Sequence, residues 1–155
     1  QALYTDEKGI IWYDTKDYAY IDKNGCLFVL DRNKPPVEIN VNNHTEKVNL
    51  LDIVEKIKIN RCIKICKLIE YKGRLVLHVV FDEFYDITTS DAIDSIKCTI
   101  TKILPQKYYP DVIRILDTLP RTSVGKVDYQ KLGEETKEIF AKNKIYTGKL
   151  NVITK

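Results

Sequence analysis

Apolar positions fall into two textures along this chain. Residues 10–31 hold the short runs IIWYD, YAYID and CLFVLD, rich in aromatic and β-branched side chains, which predicts a small antiparallel unit. Between the last two runs, Lys23-Asn24-Gly25 supplies the Asn-Gly pair of a tight hairpin turn. The texture then breaks at Asp31-Arg32-Asn33-Lys34-Pro35-Pro36. Consecutive prolines continue neither a ladder nor a helix, so this stretch is the expected linker between two structural units.

Beyond the linker the element types mix. Asn49 is placed to cap a helix whose Leu50, Leu51, Ile53, Val54 and Ile57 form one apolar stripe. Strands over 62–70 and 74–82 follow, joined by Tyr71-Lys72-Gly73. Thr88-Thr89-Ser90-Asp91 opens a second helix, with Ile93, Ile96, Ile100, Ile103 and Leu104 at helical spacing, and Pro105 ends it. A short strand over Val112–Leu116 precedes the polar loop Pro120–Lys126. A last amphipathic helix starts near Asp128, with Leu132, Ile139 and Phe140 inward and Gly133 weakening its first turns. The expected fold is α+β: a small antiparallel hairpin unit, then a two-layer sandwich of about three helices over a mostly antiparallel sheet. Segments 1–33, 34–132 and 133–155 are the expected divisions, the last being a helix with a solvated, frayed basic tail. No internal repeat or low-complexity stretch stands out.

Composition narrows the function classes. The chain has 155 residues, 44% of them hydrophobic and 30% charged, enough for a packed core. No apolar run reaches the ~18 residues of a membrane span, and the start of the chain does not read as a signal peptide. Methionine is absent, so a piece of a longer chain is expected. Net charge is +3, and residues 1–128 are charge-balanced, so the excess lies in the tail. A nucleic-acid platform needs its basic residues on the folded face, and no nucleic-acid partner is expected. Cys26, Cys62, Cys66 and Cys98 include no C-x-x-C pair, and His44 and His78 lie far off in sequence, so no metal site is expected. Even spacing puts Cys62 and Cys66 on one strand face. Scattered free cysteines suit a reducing, cytoplasmic setting.

One stretch carries candidate chemistry: Leu119-Pro120-Arg121-Thr122-Ser123-Val124-Gly125-Lys126-Val127-Asp128. Pro120 and Gly125 frame a loop outside the sheet. Gly125 allows either a close backbone approach to a ligand or a left-handed conformation. Lys126 then presents a point charge suited to phosphate or carboxylate oxygens, and Thr122 and Ser123 can donate hydrogen bonds. The plain alternative is an exposed surface lysine. The loop lacks the earlier glycine and the hydroxyl after Lys126 that a Walker A loop requires.

Pro120-x-Thr122-x-x-Gly125-Lys126-x-Asp128, followed by Leu132, resembles the C-terminal lysine motif of adenylate-forming enzymes, the superfamily of acyl-CoA synthetases, nonribosomal-peptide adenylation domains and luciferases. Its lead-in, LPQKYYPDVIRILDTLP, is similar to the family's. Trp12-Tyr13-Asp14-Thr15-Lys16-Asp17, then Tyr20 to Arg32, resembles the "TGD…dG.l…GR" segment. Lys47-Val48-x-x-Leu51-Asp52-Ile53 resembles the stretch that opens the C-terminal subdomain. The similarities keep the family's order over residues 12–132.

The resemblance implies the C-terminal lid of an ATP-dependent ligase, with residues 1–33 ending its large domain. Lys126 would be the catalytic lysine, bridging substrate carboxylate and α-phosphate. Asp17 would accept from the ribose hydroxyls of ATP, Arg32 would lie near the ribose, Lys34 would be the hinge, and Thr122 and Gly125 would support the loop. Implied partners are ATP with Mg, a carboxylic or amino acid substrate, and CoA or a phosphopantetheinyl carrier protein as thiol acceptor. The large domain would hold most of the ATP site, so the fragment alone is expected to be inactive. Lys16 and Asp31 stand where the family has glycines, Tyr129 where it often has arginine. Thr45 replaces a glycine beside the pantetheine path, where a Cβ narrows the passage. These departures keep open a second reading, a non-catalytic module that docks a carrier protein or partner. Taken singly, Asp17 also reads as a surface carboxylate, Arg32 and Lys34 as linker charge, and Trp12 with the tyrosine-rich hairpin as packing.

Overall fold

The computed structural model describes residues 3–15, 17–32, 36–41, 44–141 and 148–154. They separate into two compact units, Gln1–Pro35 and Pro36–Lys155.

The first unit consists of two hairpins, β1 (Leu3–Thr5) with β2 (Ile11–Tyr13) and β3 (Asp17–Ile21) with β4 (Leu27–Arg32). Both turns use one device. Asp6 Oδ1 accepts the backbone N–H groups of Lys8 and Ile10, each at 2.9 Å, and Asp22 Oδ1 accepts those of Asn24 and Cys26, also at 2.9 Å. A glycine three residues after each aspartate takes the left-handed conformation, Gly9 at φ +79 and Gly25 at φ +83. Asp-x-x-Gly thus occurs twice at matching places, a short repeat that the hydrophobic pattern did not reveal. Trp12, expected to pack, is half exposed, and its Nε1 donates to Asp6 Oδ2 at 2.9 Å. That bond, with the N–H of Ile10, lowers the Asp6 carboxyl pKa. No described side chain of this unit is buried. Ile11, Tyr13, Leu27 and Val29 are each at least 60% exposed, because two-stranded ribbons offer no second layer to cover them.

The second unit begins with a hairpin, β5 (Val37–Val41) and β6 (His44–Val48), in a stretch between the linker and Asn49 where no element is expected from the pattern. Next come α1 (Leu50–Ile57), β7 (Ile63–Tyr71), β8 (Arg74–Phe81), α2 (Thr89–Ile103), β9 (Val112–Ile115), α3 (Tyr129–Ala141) and β10 (Asn151–Thr154). Asn49 caps α1 by accepting from Leu51 N at 3.0 Å, and Thr88 caps α2 by accepting from Asp91 N at 3.1 Å. Asn60 links the α1–β7 connection to α2, donating to Ser95 and Thr99 hydroxyls and accepting from Cys62 N.

The α+β class and the three helices match the expectation. Within that class the sheet is mixed, in the order β10-β9-β8-β7. β7 and β8 are antiparallel, while β9 and β10 add in parallel. The helices cover both faces. On one side α1 and α2 enclose Ile53, Ile57, Ile96 and Ile100 with Cys66, Leu77 and Ile113. On the other, Leu132 of α3 packs with Val80, Leu116 and Leu119. The tail is not a frayed helix throughout, since Asn151–Thr154 forms an edge strand on β9. Asp111 ties this corner together: its carboxylate accepts Leu75 N at 2.8 Å and Lys149 Nζ at 3.0 Å. Cys62 and Cys66 are both buried, but simple alternation is not the reason. Cys62 precedes β7, and a register shift between Ile63 and Ile65 separates the two. Burial pushes the Cys66 thiol up to about 11.

His78 is the buried titratable group between sheet and α3. Its Nε2 lies 2.9 Å from Thr136 Oγ1, whose own proton goes to Leu132 O at 2.8 Å. The hydroxyl therefore accepts from Nε2–H, leaving Nδ1 as a bare acceptor with no partner among the described residues. Burial first, and the Arg114 guanidinium second, push this imidazole down from 6.5 to about 3. Arg114 itself pairs with Glu135 of α3. The unfolded chain takes up this proton as pH falls below 6.5 while the folded protein does not, so stability drops on the acid side. Between pH 7 and pH 5 the loss reaches about 2 kcal/mol from this group alone. In urea unfolding at the two pH values, His78→Leu is expected to show a smaller loss than wild type. Equal losses would remove the buried neutral imidazole from the explanation.

Candidate functional site

The Leu119–Asp128 stretch is closed by its own backbone. Thr122 N donates to Lys126 O at 2.7 Å, Gly125 N to Thr122 O at 2.9 Å and Asp128 N to Pro120 O at 2.8 Å. Arg121 and Val127 form an antiparallel bridge across the neck. Arg121 Nη1 also donates to Gly125 O at 2.7 Å, a brace that no motif marks. Gly125 sits at φ +80, and no atom lies within 4 Å of where a Cβ would stand. The left-handed conformation, one of the two uses open to this glycine, is realised.

The neck is anchored and the tip is open. Leu119 is buried beneath it. Asp128 starts α3, its Oδ1 accepting from Lys131 N at 3.0 Å and its carbonyl from Leu132 N at 3.1 Å. Val124 is 76% exposed, and Lys126 beside it is exposed too. The Lys126 ammonium has no carboxylate or hydrogen-bond acceptor among the described residues. Thr122 supports the loop through its backbone, and its Oγ1 is enclosed without a partner among them. A mobile cation on a stiff loop can meet an anionic ligand without first breaking an ion pair.

Asp17 and Arg32 belong to the first unit, Lys126 to the second. The β3–β4 register places Asp17 directly opposite Arg32, so residues fifteen apart in sequence share one end of a hairpin. Asp17 is exposed, and its backbone N–H donates to Thr15 Oγ1 at 3.3 Å. The side chain of Arg32, and all of Lys16 and Lys34, lie outside the described residues. Thr45 is exposed in β6, opposite Asn40. Next to it is a cluster that no motif marked. Glu46 takes Lys107 Nζ on both oxygens, at 3.0 and 2.8 Å, and the Tyr108 hydroxyl at 2.6 Å. These bonds, led by the one from Lys107, lower the Glu46 pKa and tie β6 to the turn after α2.

No family model matches the chain. It is 30% identical over 130 residues to the hybrid PKS-NRPS synthetase tasS of Hapsidospora irregularis, a match that takes in 77% of this chain and 3% of that protein. Among solved structures, NpsA of Klebsiella oxytoca in complex with 3-hydroxyanthranilyl-AMSN superposes with a TM-score of 0.61 at 18% identity, over 87% of this chain and 27% of that one. The anthranilate CoA ligase AuaEII, in complex with anthranoyl-AMP, gives 0.58 at 18% identity over 84% and 25%. ATP-bound MatB from Rhodopseudomonas palustris gives 0.55 at 20% identity over 88% and 26%. The chain spans about a quarter of the length of these enzymes and a far smaller part of the synthetase. It has the fold of a quarter-length part of the adenylate-forming enzymes.

Proposed function

We propose that the chain is the C-terminal part of an ATP-dependent ligase that converts a carboxylic or amino acid into its acyl-adenylate. The observation that carries this reading is the Lys126 ammonium, exposed and without an acid partner among the described residues, on a loop closed by its own backbone. A carboxylate oxygen attacks the α-phosphorus of ATP and pyrophosphate leaves. Charge grows on the oxygens between acid and phosphate, and a lysine positioned there offsets it. Asp17 accepts from the ribose hydroxyls, and Arg32 across the hairpin lies near the ribose. Thr122 and Gly125 fix the loop, and Lys34 is the hinge residue between nucleotide-bearing body and lid.

Several features support this division. The apolar surface of the first unit is what the end of a larger domain would show before the rest of that domain covers it. Pro36 onward has its own two-sided core, as a lid that moves as a body requires. Among the described residues no group of three or more His, Cys, Asp or Glu side chains is placed to hold a metal ion. Mg accompanying ATP is assigned to the larger body on the resemblance alone, and no step here runs through it. No helix among the described residues is long and apolar enough to cross a membrane, and a cytoplasmic location fits the unpaired cysteines.

The second half-reaction, attack by the thiol of CoA or of a carrier protein with release of AMP, belongs to the same proposal. Thr45, exposed where the family has glycine, is the observation behind the second reading, a non-catalytic module that docks a carrier protein or partner.

In the complete ligase, Lys126→Ala is expected to lower carboxylate-dependent pyrophosphate exchange by about 100-fold or more. Its thermal unfolding midpoint should match wild type, because the ammonium holds no partner among the described residues. Unchanged exchange would contradict the catalytic assignment. Gly125→Ala should lose both exchange and about 1 kcal/mol of stability in chemical unfolding, since alanine at φ +80 is strained. Full stability in that variant would show that the loop relaxes freely.

A further inference from the structure

A second basic feature lies at the other end of α3. Tyr71, Lys72 and Arg74 of the β7–β8 hairpin and Lys137, Phe140 and Ala141 of α3 line a groove of about 330 Å³. Asp128, beside the Lys126 loop, starts the helix, and Phe140 closes it with its ring 4.1 Å from Arg74 Cζ. Twelve helical residues separate these ends by roughly 18 Å, so the groove is distinct from the lysine loop.

Among the described residues the groove wall carries three cations and no carboxylate. Aromatic rings hold two of those cations, and one of the two, Arg74, also pairs with Asp111 at 3.6 Å. Tyr71 and Phe140 stack with centroids 6.3 Å apart and planes 9° from parallel. Arg74 lies over Phe140, and Lys72 Nζ sits 5.4 Å from the Tyr71 centroid. Nearby acids are already engaged: Glu70 Oε1 accepts Gly73 N at 2.6 Å, and Asp111 serves Leu75 N, Lys149 and, at 3.6 Å, Arg74 Nε. Lys72 and Lys137 have no acidic partner among the described residues. Lys72 also occupies a left-handed position, φ 53, followed by Gly73 at φ 76. A two-residue turn of this kind ordinarily selects Asn or Gly first. A lysine there puts a cation at the groove rim at a conformational cost, the kind of strain that collects at ligand clamps.

We propose that this groove is an anion site for the phosphate or diphosphate group of a small phosphorylated ligand. The Arg74 guanidinium supplies forked donors, and Lys72 and Lys137 supply point charges. The proposal is independent of the ligase reading, because it uses none of Asp17, Arg32 or Lys126.

The test is an amide NMR titration of the 155-residue chain with sodium diphosphate, and separately with ADP and adenosine, at constant ionic strength held by chloride. Saturable shifts at Gly73 and Arg74 are expected with diphosphate and ADP and not with adenosine. Tighter binding of ADP would assign a nucleotide, and equal binding the diphosphate group alone. Lys72→Gly combined with Lys137→Ala should weaken binding at least tenfold, and its thermal midpoint should not fall far, since glycine suits the turn. Shifts confined to Gly125, no saturation, or unchanged affinity in the double variant would each overturn the proposal.

Discussion

The position of one ammonium depends on backbone closure between Pro120 and Asp128. Three main-chain hydrogen bonds and the Arg121–Val127 bridge use the polar groups of the neck. The reversal needed to form them is available only because residue 125 tolerates φ +80. Arg121 takes up the Gly125 carbonyl, and Asp128 begins α3 directly beneath. The loop is therefore an extension of a helix anchored by Leu132 and Thr136 rather than a free strap. Lys126 inherits that stiffness in its backbone while its side chain remains free to move, the combination a charge-stabilising lysine needs.

The two units differ in what they can do alone. In the second, Leu132, Ile96, Ile100 and Leu77 are fully enclosed, and polar anchors such as Asn60 and Asp111 join elements distant in sequence. The first has turns fixed by Asp6 and Asp22 but, among the described residues, only exposed apolar faces. Hairpins of that kind hold their register through turn chemistry, while their stability must come from another layer. Because the chain spans about a quarter of its structural neighbours, a body that supplies this layer agrees with the ligase proposal.

Features set by local rules were legible in the sequence. Asn49 and Thr88 cap the helices where polar residues precede apolar stripes, and Asn24-Gly25 turns the β3–β4 hairpin. Non-local features were not legible. β10 is four residues long and exists because β9 offers a parallel edge, which leaves no mark in Asn151–Thr154 itself. The β5–β6 hairpin alternates Val37, Ile39 and Val41, yet the prolines before it pointed to a linker. Helices on both sheet faces follow from β8, whose two faces are both buried and apolar but for His78, a pattern that also fits a single buried layer. Of the candidate site, the lysine loop was marked by Pro120 and Gly125, and the order of motifs brought in Asp17 and Arg32. The Arg121 brace, the Glu46 cluster and the groove between Arg74 and Phe140 depend on tertiary placement.

The most direct test of the central claim asks whether this ammonium reaches a nucleotide. Lysine acetylation of the complete ligase, mapped by mass spectrometry with and without a non-hydrolysable acyl-adenylate analogue, reads it at one residue. Lys126 should be modified rapidly in the free protein and strongly protected with the analogue bound, while Lys137 at the far end of α3 is unaffected. Equal modification of Lys126 in both states would contradict a nucleotide-contacting role.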